Sequence, residues 1–258
     1  MNILSVVVIP FLGTVVGAST VLFARRSVSS RIHNALLGFA AGVMVAASVW
    51  SLIIPSLDLS ESLGVLQWMP ATIGIILGML FLLLLDSVVP HQHLGSDTCE
   101  GPHSTLGRRD MLMLAVTLHN IPEGMAVGVV VAGSLTGQAD LGIAAAVALA
   151  MGMALQNIPE GAIISLPIRA QGGSRLRSFG FGALSGIVEP ISAVVTILLV
   201  EYLVGVFPYL LAAAAGAMVY VVVEELIPEA HQGKHSNIPT IGFAAGFVIM
   251  MVLDTALG

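Results

Sequence analysis

His119-Asn120-Ile121-Pro122-Glu123-Gly124 recurs in this chain as Gln156-Asn157-Ile158-Pro159-Glu160-Gly161. Each copy lies in a stretch apolar enough to cross a membrane. A carboxylate there costs roughly 2.5–3.5 kcal/mol at the bilayer centre. Two matching carboxylates, each beside a proline and polar neighbours, point to one polar site shared by two helices. A metal cation is the simplest occupant that compensates both.

Helical spacing puts His119 and Glu123 on one face, and Gln156 and Glu160 repeat that geometry. Asn120 and Asn157 stand about 100° round from His119 and Gln156. Pro122 and Pro159 lack an N–H, which frees the carbonyls of Leu118 and Leu155 to face an ion or a water. Gly124 and Gly161 admit a close neighbouring helix. A third carboxylate, Glu189, also precedes a proline, Pro190. Counted from the nearest arginines (Arg109, Arg169 and Arg177), the three carboxylates lie at similar depth, roughly 14–21 Å along the helices. One imidazole, three carboxylates and three amides form an N/O set without sulfur. Such ligands suit zinc, iron(II), manganese, or cadmium as a mimic. Two ions bridged by a carboxylate are compatible with the set.

The rest of the chain is built to hold such a site in lipid. Of 258 residues, 57% are hydrophobic and 9% charged, against about 25% charged in a soluble domain. The expected class is an all-α integral membrane protein, with residues 1–258 forming one transmembrane domain. A lone cysteine, Cys99, excludes an internal disulfide and a Cys-rich zinc module. The net charge of −6 argues against nucleic acid as a partner. No Lys or Arg precedes Arg25, so the apolar N-terminus reads as a retained span rather than a signal peptide.

Apolar runs of about 20 residues predict eight transmembrane helices, near 3–24, 33–57, 70–90, 111–134, 141–167, 178–200, 205–228 and 238–257. Arg25, Arg26, Arg31, Arg108, Arg109, Arg169, Arg175, Arg177 and Lys234 all fall in odd-numbered loops. The positive-inside rule makes those loops cytoplasmic and both termini extracytoplasmic. Trp68, Tyr202, Phe207 and Tyr209 read as an outer aromatic belt. Helices one and six then run in opposite directions. A 3+2+3 arrangement with inverted repeats is therefore expected, although no strong similarity links the two three-helix units.

A second group lies nearer the cytoplasm. Glu224, Glu225, Glu229 and His231 end the seventh span, Asp86 ends the third, and His91 and His93 follow it. Together they read as an exit site for an ion leaving the centre. The short loop 91–110 adds Cys99 and His103 as further metal-collecting groups. Gly38-x3-Gly42, Gly74-x3-Gly78 and Gly182-x3-Gly186 read as internal packing faces, with homodimerisation the other use of such faces. The function classes left open are a secondary metal transporter, an intramembrane metalloenzyme, and a metal-selective channel or sensor. No HExxH and no Walker-type phosphate loop is present.

These residues resemble the signature of the ZIP family of divalent-metal transporters and look most similar to its bacterial GufA-like branch. The resemblance extends along the whole chain. It implies a multi-pass protein of the bacterial cytoplasmic membrane that binds divalent metal ions, most often zinc, with no catalytic cofactor. It implies a binuclear centre whose ligands are His119, Asn120, Glu123, Gln156, Asn157 and Glu160, with Glu189 from helix six. It implies uptake into the cytoplasm without nucleotide hydrolysis, and an elevator-like motion of helices 1, 4, 5 and 6 against 2, 3, 7 and 8. Where relatives carry Asp and His, this chain has Asn157 and Gln156.

Overall fold

Lipid offers the backbone no hydrogen-bonding partner, so a spanning segment must satisfy its own N–H and C=O groups. The chain does so entirely as helices in its computed structural model, which describes residues 3–23, 29–90, 102, 108–136, 142–170, 172–200, 206–233 and 236–257. The helices are α1 (Ile3–Phe23), α2 (Ser30–Asp58), α3 (Trp68–Val88), α4 (Arg108–Thr136), α5 (Ile143–Ala170), α6 (Arg175–Leu199), α7 (Phe207–Ala230) and α8 (Ile238–Leu257). Among the described residues, seven are long and apolar enough to cross a membrane. The exception is α4, which is long enough at 29 residues but carries His119, Asn120 and Glu123 in its middle.

Prolines decide where the helices depart from regular geometry. Pro55 and Pro228 have no N–H for the carbonyl four residues back. The turns before them widen: Ile54 N–H donates to Val49 and Ile227 N–H to Val222, giving π turns at Ser48–Ile53 and Val222–Leu226. Pro190 cannot donate to Gly186, and α6 breaks there, with Glu189 N–H reaching Gly186 O at 3.1 Å. Helices α4 and α5 run on through Pro122, Pro159 and Pro167.

The most extensive contacts pair α2 with α8, α1 with α5, α3 with α7, and α4 with α6. Each pair is a glycine seam. Gly38 and Gly42 of α2 meet the backbone of Pro239 and Phe243, and Gly246 of α8 meets Phe39. Gly74 and Gly78 of α3 lie on Tyr209 and Ala213. Gly13 and Gly17 of α1 lie on Ala154 and Ile158, and Gly124 of α4 lies on Glu189. The glycine faces read from sequence are thus occupied within the chain.

The pairs exchange under an interchange of helices 1 with 6, 2 with 7, 3 with 8, and 4 with 5. The π turns and their Ile-Pro dipeptides obey the same interchange. So does a pattern that the sequence reading overlooked: Thr72-Ile73-Gly74, Gly78 and Leu85-Asp86 recur at identical spacing as Thr240-Ile241-Gly242, Gly246 and Leu253-Asp254.

Between the pairs lies a core that includes Met44, Leu52, Leu149, Met153 and Met218. Phe207, expected in the aromatic belt, is 2% exposed and belongs to this core. Leu77, Leu80, Leu83 and Leu84 of α3 face outward, as a lipid-facing helix requires.

A Cβ at Gly78 would collide with the Ala213 carbonyl. Overpacking of this kind costs about 1–3 kcal/mol. Gly78→Val is therefore expected to lower the melting temperature of the detergent-solubilised protein. A thermal ramp read by size-exclusion recovery checks this, and an unchanged midpoint would show that the seam does not bear on stability.

Candidate metal centre

The two N-x-P-E-G segments meet at mid-length of α4 and α5. Gln156 Nε2 donates to Glu123 Oε1 at 2.5 Å. Both side chains are buried, as are Asn120, Asn157 and Glu189. The α6 break turns Glu189 toward the same place. Its Oε2 accepts from Asn157 Nδ2 at 2.7 Å, and its Oε1 accepts from Thr14 Oγ1 at 3.1 Å and Asn120 Nδ2 at 3.3 Å. The two asparagines also donate to backbone, Asn120 to Ser185 O and Asn157 to Pro10 O.

Every amide therefore spends its N–H groups on a carboxylate or a carbonyl and leaves its oxygen behind. Asn120 Oδ1, Gln156 Oε1, Asn157 Oδ1, Glu123 Oε2 and Glu160 Oε2 are buried without a hydrogen-bond donor. Buried polar atoms are rarely left so. Five bare oxygens from two neighbouring helices form an acceptor-only set, and an acceptor-only set suits a cation.

Glu189 carries more hydrogen bonds than Glu123. Its two oxygens are engaged by three side chains from α1, α4 and α5. It ties Asn120 and Asn157 in place.

The structure also joins two groups that the sequence reading kept apart. His119 Nε2 pairs with Glu225 Oε1 of α7, so Glu225 touches the central site rather than a separate exit. Glu160 lies within electrostatic reach of both. Asp86 hydrogen-bonds the Tyr220 hydroxyl, with Glu224 and Glu225 nearby. Glu229 pairs instead with His33 of α2 at 3.3 Å. Glu224 and His231 are exposed, and His231 Nδ1 bonds the Ile227 carbonyl of its own helix. His91, His93, Cys99 and His103 lie outside the described residues. Among the described residues, no three His, Cys, Asp or Glu side chains form a ready-made metal cage. The candidate centre is a mixed carboxylate–amide one.

Sequence reasoning missed Thr14, Ser185, Tyr220 and His33. Nothing in a linear sequence says which neighbour each of these polar side chains will meet. Thr14 had one usable signal: it lies between Gly13 and Gly17, glycines that admit a close neighbouring helix.

A family model described as "ZIP Zinc transporter" matches residues 102–254, which include all seven central residues. The chain belongs to the ZIP family of zinc transporters. It is 39% identical to "Zinc transporter ZIPB" of Bordetella bronchiseptica, over 96% of this chain and 79% of that one. It is 36% identical to "Zinc transporter GufA" of Myxococcus xanthus, over 95% and 94%. It is 32% identical to human "Zinc transporter ZIP11", over 95% and 94%. These are transporters, not enzymes, so the metalloenzyme alternative falls. The chain is a membrane protein of a zinc-transporting family.

Asn157→Asp is informative because it keeps the side chain's shape. It removes the donor to Glu189 and sets two carboxylates against each other. Losing a hydrogen bond to a charged group costs about 1.5–3 kcal/mol. The metal-free variant should melt lower than wild type, whereas saturating zinc should raise its midpoint more than it raises that of the wild type. An unchanged metal-free midpoint would contradict the tying role of Asn157.

Proposed function

We propose that this protein is a secondary carrier that moves divalent metal ions, zinc foremost, into the cytoplasm down their electrochemical gradient. Iron(II), manganese and cadmium are secondary cargoes in this reading. The observation that carries it is the set of five bare, buried oxygens beside His119, in a chain related to named zinc transporters. The cargo takes those oxygens and the His119 imidazole as ligands. Glu189 joins them when an ion draws Asn120 and Asn157 inward. The spread of donors over α4, α5 and α6 supports a centre able to hold two ions.

In the same proposal residues 1–258 form one domain of eight spans, with α4 as the polar member. The arrangement is 3+2+3 with inverted repeats, and both termini are extracytoplasmic in a bacterial cytoplasmic membrane. The helix-pair interchange and the repeated Thr-Ile-Gly pattern support the repeat. The confinement of Lys and Arg to odd loops supports the orientation.

Alternating access comes from α1, α4, α5 and α6 moving as one body against α2, α3, α7 and α8. The four glycine seams all lie within these groups. Across the boundary, Gly152 of α5 meets the flexible Met250 side chain of α8. Such a contact repacks more easily than backbone on backbone.

Zinc uptake into proteoliposomes with a fluorescent reporter inside tests the reading. Saturable uptake is expected in wild type and a loss of at least about tenfold in Glu123→Ala and Glu160→Ala, the rate expected from losing about 1.4 kcal/mol or more. Linear, unsaturable flux would replace the carrier with a channel. No flux from folded, zinc-binding protein would leave a sensor. A disulfide engineered between α5 and α8 should stop uptake and spare zinc binding, and full uptake in the crosslinked protein would sink the two-body motion.

A further inference from the structure

The basic residues are divided unevenly between the two groups of helices. Arg25 and Arg26 follow α1 in the sequence, Arg108 and Arg109 open α4, Arg169 lies in the last turn of α5, and Arg175 and Arg177 open α6. Only Arg31 and Lys234 stand at the ends of α2, α3, α7 and α8. At that same end α3 and α7 carry Asp86, Glu224, Glu225 and Glu229. The positive-inside rule draws Lys and Arg to one side of the membrane but does not sort them between helices on that side. The central chemistry has no use for the division either.

The turn between α5 and α6 shows what these side chains have to meet. No Asp or Glu lies between Glu160 and Glu189. Arg169 Nη1 donates to the Gly173 carbonyl at 2.8 Å, which closes the turn. Arg175 and Arg177 are exposed on the first turn of α6, and the Arg177 guanidinium stands over the Phe181 ring, 5.9 Å from its centroid. Among the described residues, no carboxylate pairs with Arg169, Arg175 or Arg177. Leu176, between the two arginines, is 73% exposed, and Phe23, the last residue of α1, is 82% exposed. Helices α1 and α6 pack against each other. Guanidinium groups beside exposed apolar side chains match a membrane surface. The apolar groups enter the acyl boundary, and the guanidinium groups reach the phosphates. A soluble anion would engage the arginines but not Leu176 or Phe23.

We propose that the basic ends of α1, α4, α5 and α6 form a docking surface for anionic phospholipid headgroups, centred on Arg175, Leu176 and Arg177. Each basic side chain at an anionic membrane surface strengthens attachment about fivefold. Headgroups gather at the arginine-rich ends and are repelled by the carboxylates of α3 and α7. The lipid therefore holds one group of helices and not the other. That group is the one that moves in the proposed carrier, so the charge of the leaflet bears on the rate of movement. This consequence rests on the two-body carrier reading, whereas the binding does not.

Retention of fluorescently labelled phosphatidylglycerol by the full-length protein in neutral detergent, without metal, tests the surface. Unlabelled phosphatidylglycerol is expected to displace the label, and phosphatidylcholine and inorganic phosphate at equal concentration are expected not to. Displacement by phosphate would overturn the lipid in favour of a soluble anion. Arg175→Gln combined with Arg177→Gln should weaken retention at least about tenfold. Arg175→Lys combined with Arg177→Lys should keep it within about twofold, so that the loss tracks charge and not fold. Arg31→Gln combined with Lys234→Gln removes as much charge from the other group of helices and should cost less than about threefold. Equal losses from the two double glutamine variants, or no loss from either, overturn the docking surface. In proteoliposomes, the ratio of zinc uptake with phosphatidylglycerol to uptake without it should differ at least about threefold between wild type and the Arg175→Gln, Arg177→Gln protein. Equal ratios would overturn the hold on movement. Absence of any uptake would overturn the carrier reading and leave lipid retention as it is, so the two failures are distinguishable.

Discussion

Oxygen exceeds hydrogen at the centre of this protein, and the surrounding structure follows from that imbalance. Glu123, Glu160 and Glu189 each offer about four lone-pair sites. The donors brought to them are few: Gln156 Nε2 for Glu123, and Thr14, Asn120 and Asn157 for Glu189. In water the deficit would be trivial. In a buried site each missing partner is costly. The donors that do arrive come from different helices, so those helices must lie close. Gly161 of the second N-x-P-E-G segment packs on Thr14, the residue whose hydroxyl reaches Glu189. Gly124 of the first packs on Glu189 itself. The glycine that ends each segment thus sets the approach that lets its acidic and amide residues be partly satisfied. What remains unsatisfied is the site.

This division of labour explains why Glu189 and Glu123 differ although their surroundings look alike in sequence. Each precedes or follows a proline in an apolar helix. The break at Gly186 rotates Glu189 among three donors, whereas continuous α4 leaves Glu123 beside amides but with a bare oxygen. A carboxylate with three donors holds amides still. A carboxylate short of them invites a cation. Helix continuity through one proline and interruption at another therefore separates a donor-poor carboxylate from a donor-rich one.

Much of this was legible in the sequence. Seven spans are long and apolar runs that no soluble fold would tolerate, and the doubled motif marked the candidate site because paired carboxylates in such runs have few other uses. The polarity that marks α4 as functional is the same property that keeps it from meeting a span criterion based on apolarity. The positions of Thr14 and His33 were not legible. Which helix faces a lone hydroxyl or imidazole depends on backbone approach, and that is decided by glycines on another element. Assigning His119 and Glu225 to separate places had a related cause. Depth counted along single helices at about 1.5 Å per residue ignores tilt and the extra residue absorbed by the π turn at Val222–Leu226.

The two ends of the repeated backbone carry unlike side chains, and that difference bears on what a carrier can do. Asp86 and Asp254 occupy matching positions, as do Pro55 and Pro228. Beside Asp254 lies Ser51, whose hydroxyl donates to both carboxylate oxygens, at 2.9 and 2.7 Å. The position matching Ser51 is Glu224, the next is Glu225, and the one matching Ser56 is Glu229. One end is thus a single carboxylate held by a hydroxyl, and the other gathers several carboxylates with His33 and His119. No placement of ligands sets the direction of net flow through a passive carrier, because equilibrium affinities at the two faces cannot supply free energy that the gradient does not. What unlike ends can set is how long an ion dwells at each face. In the proposed carrier, unequal side chains make the two faces chemically different.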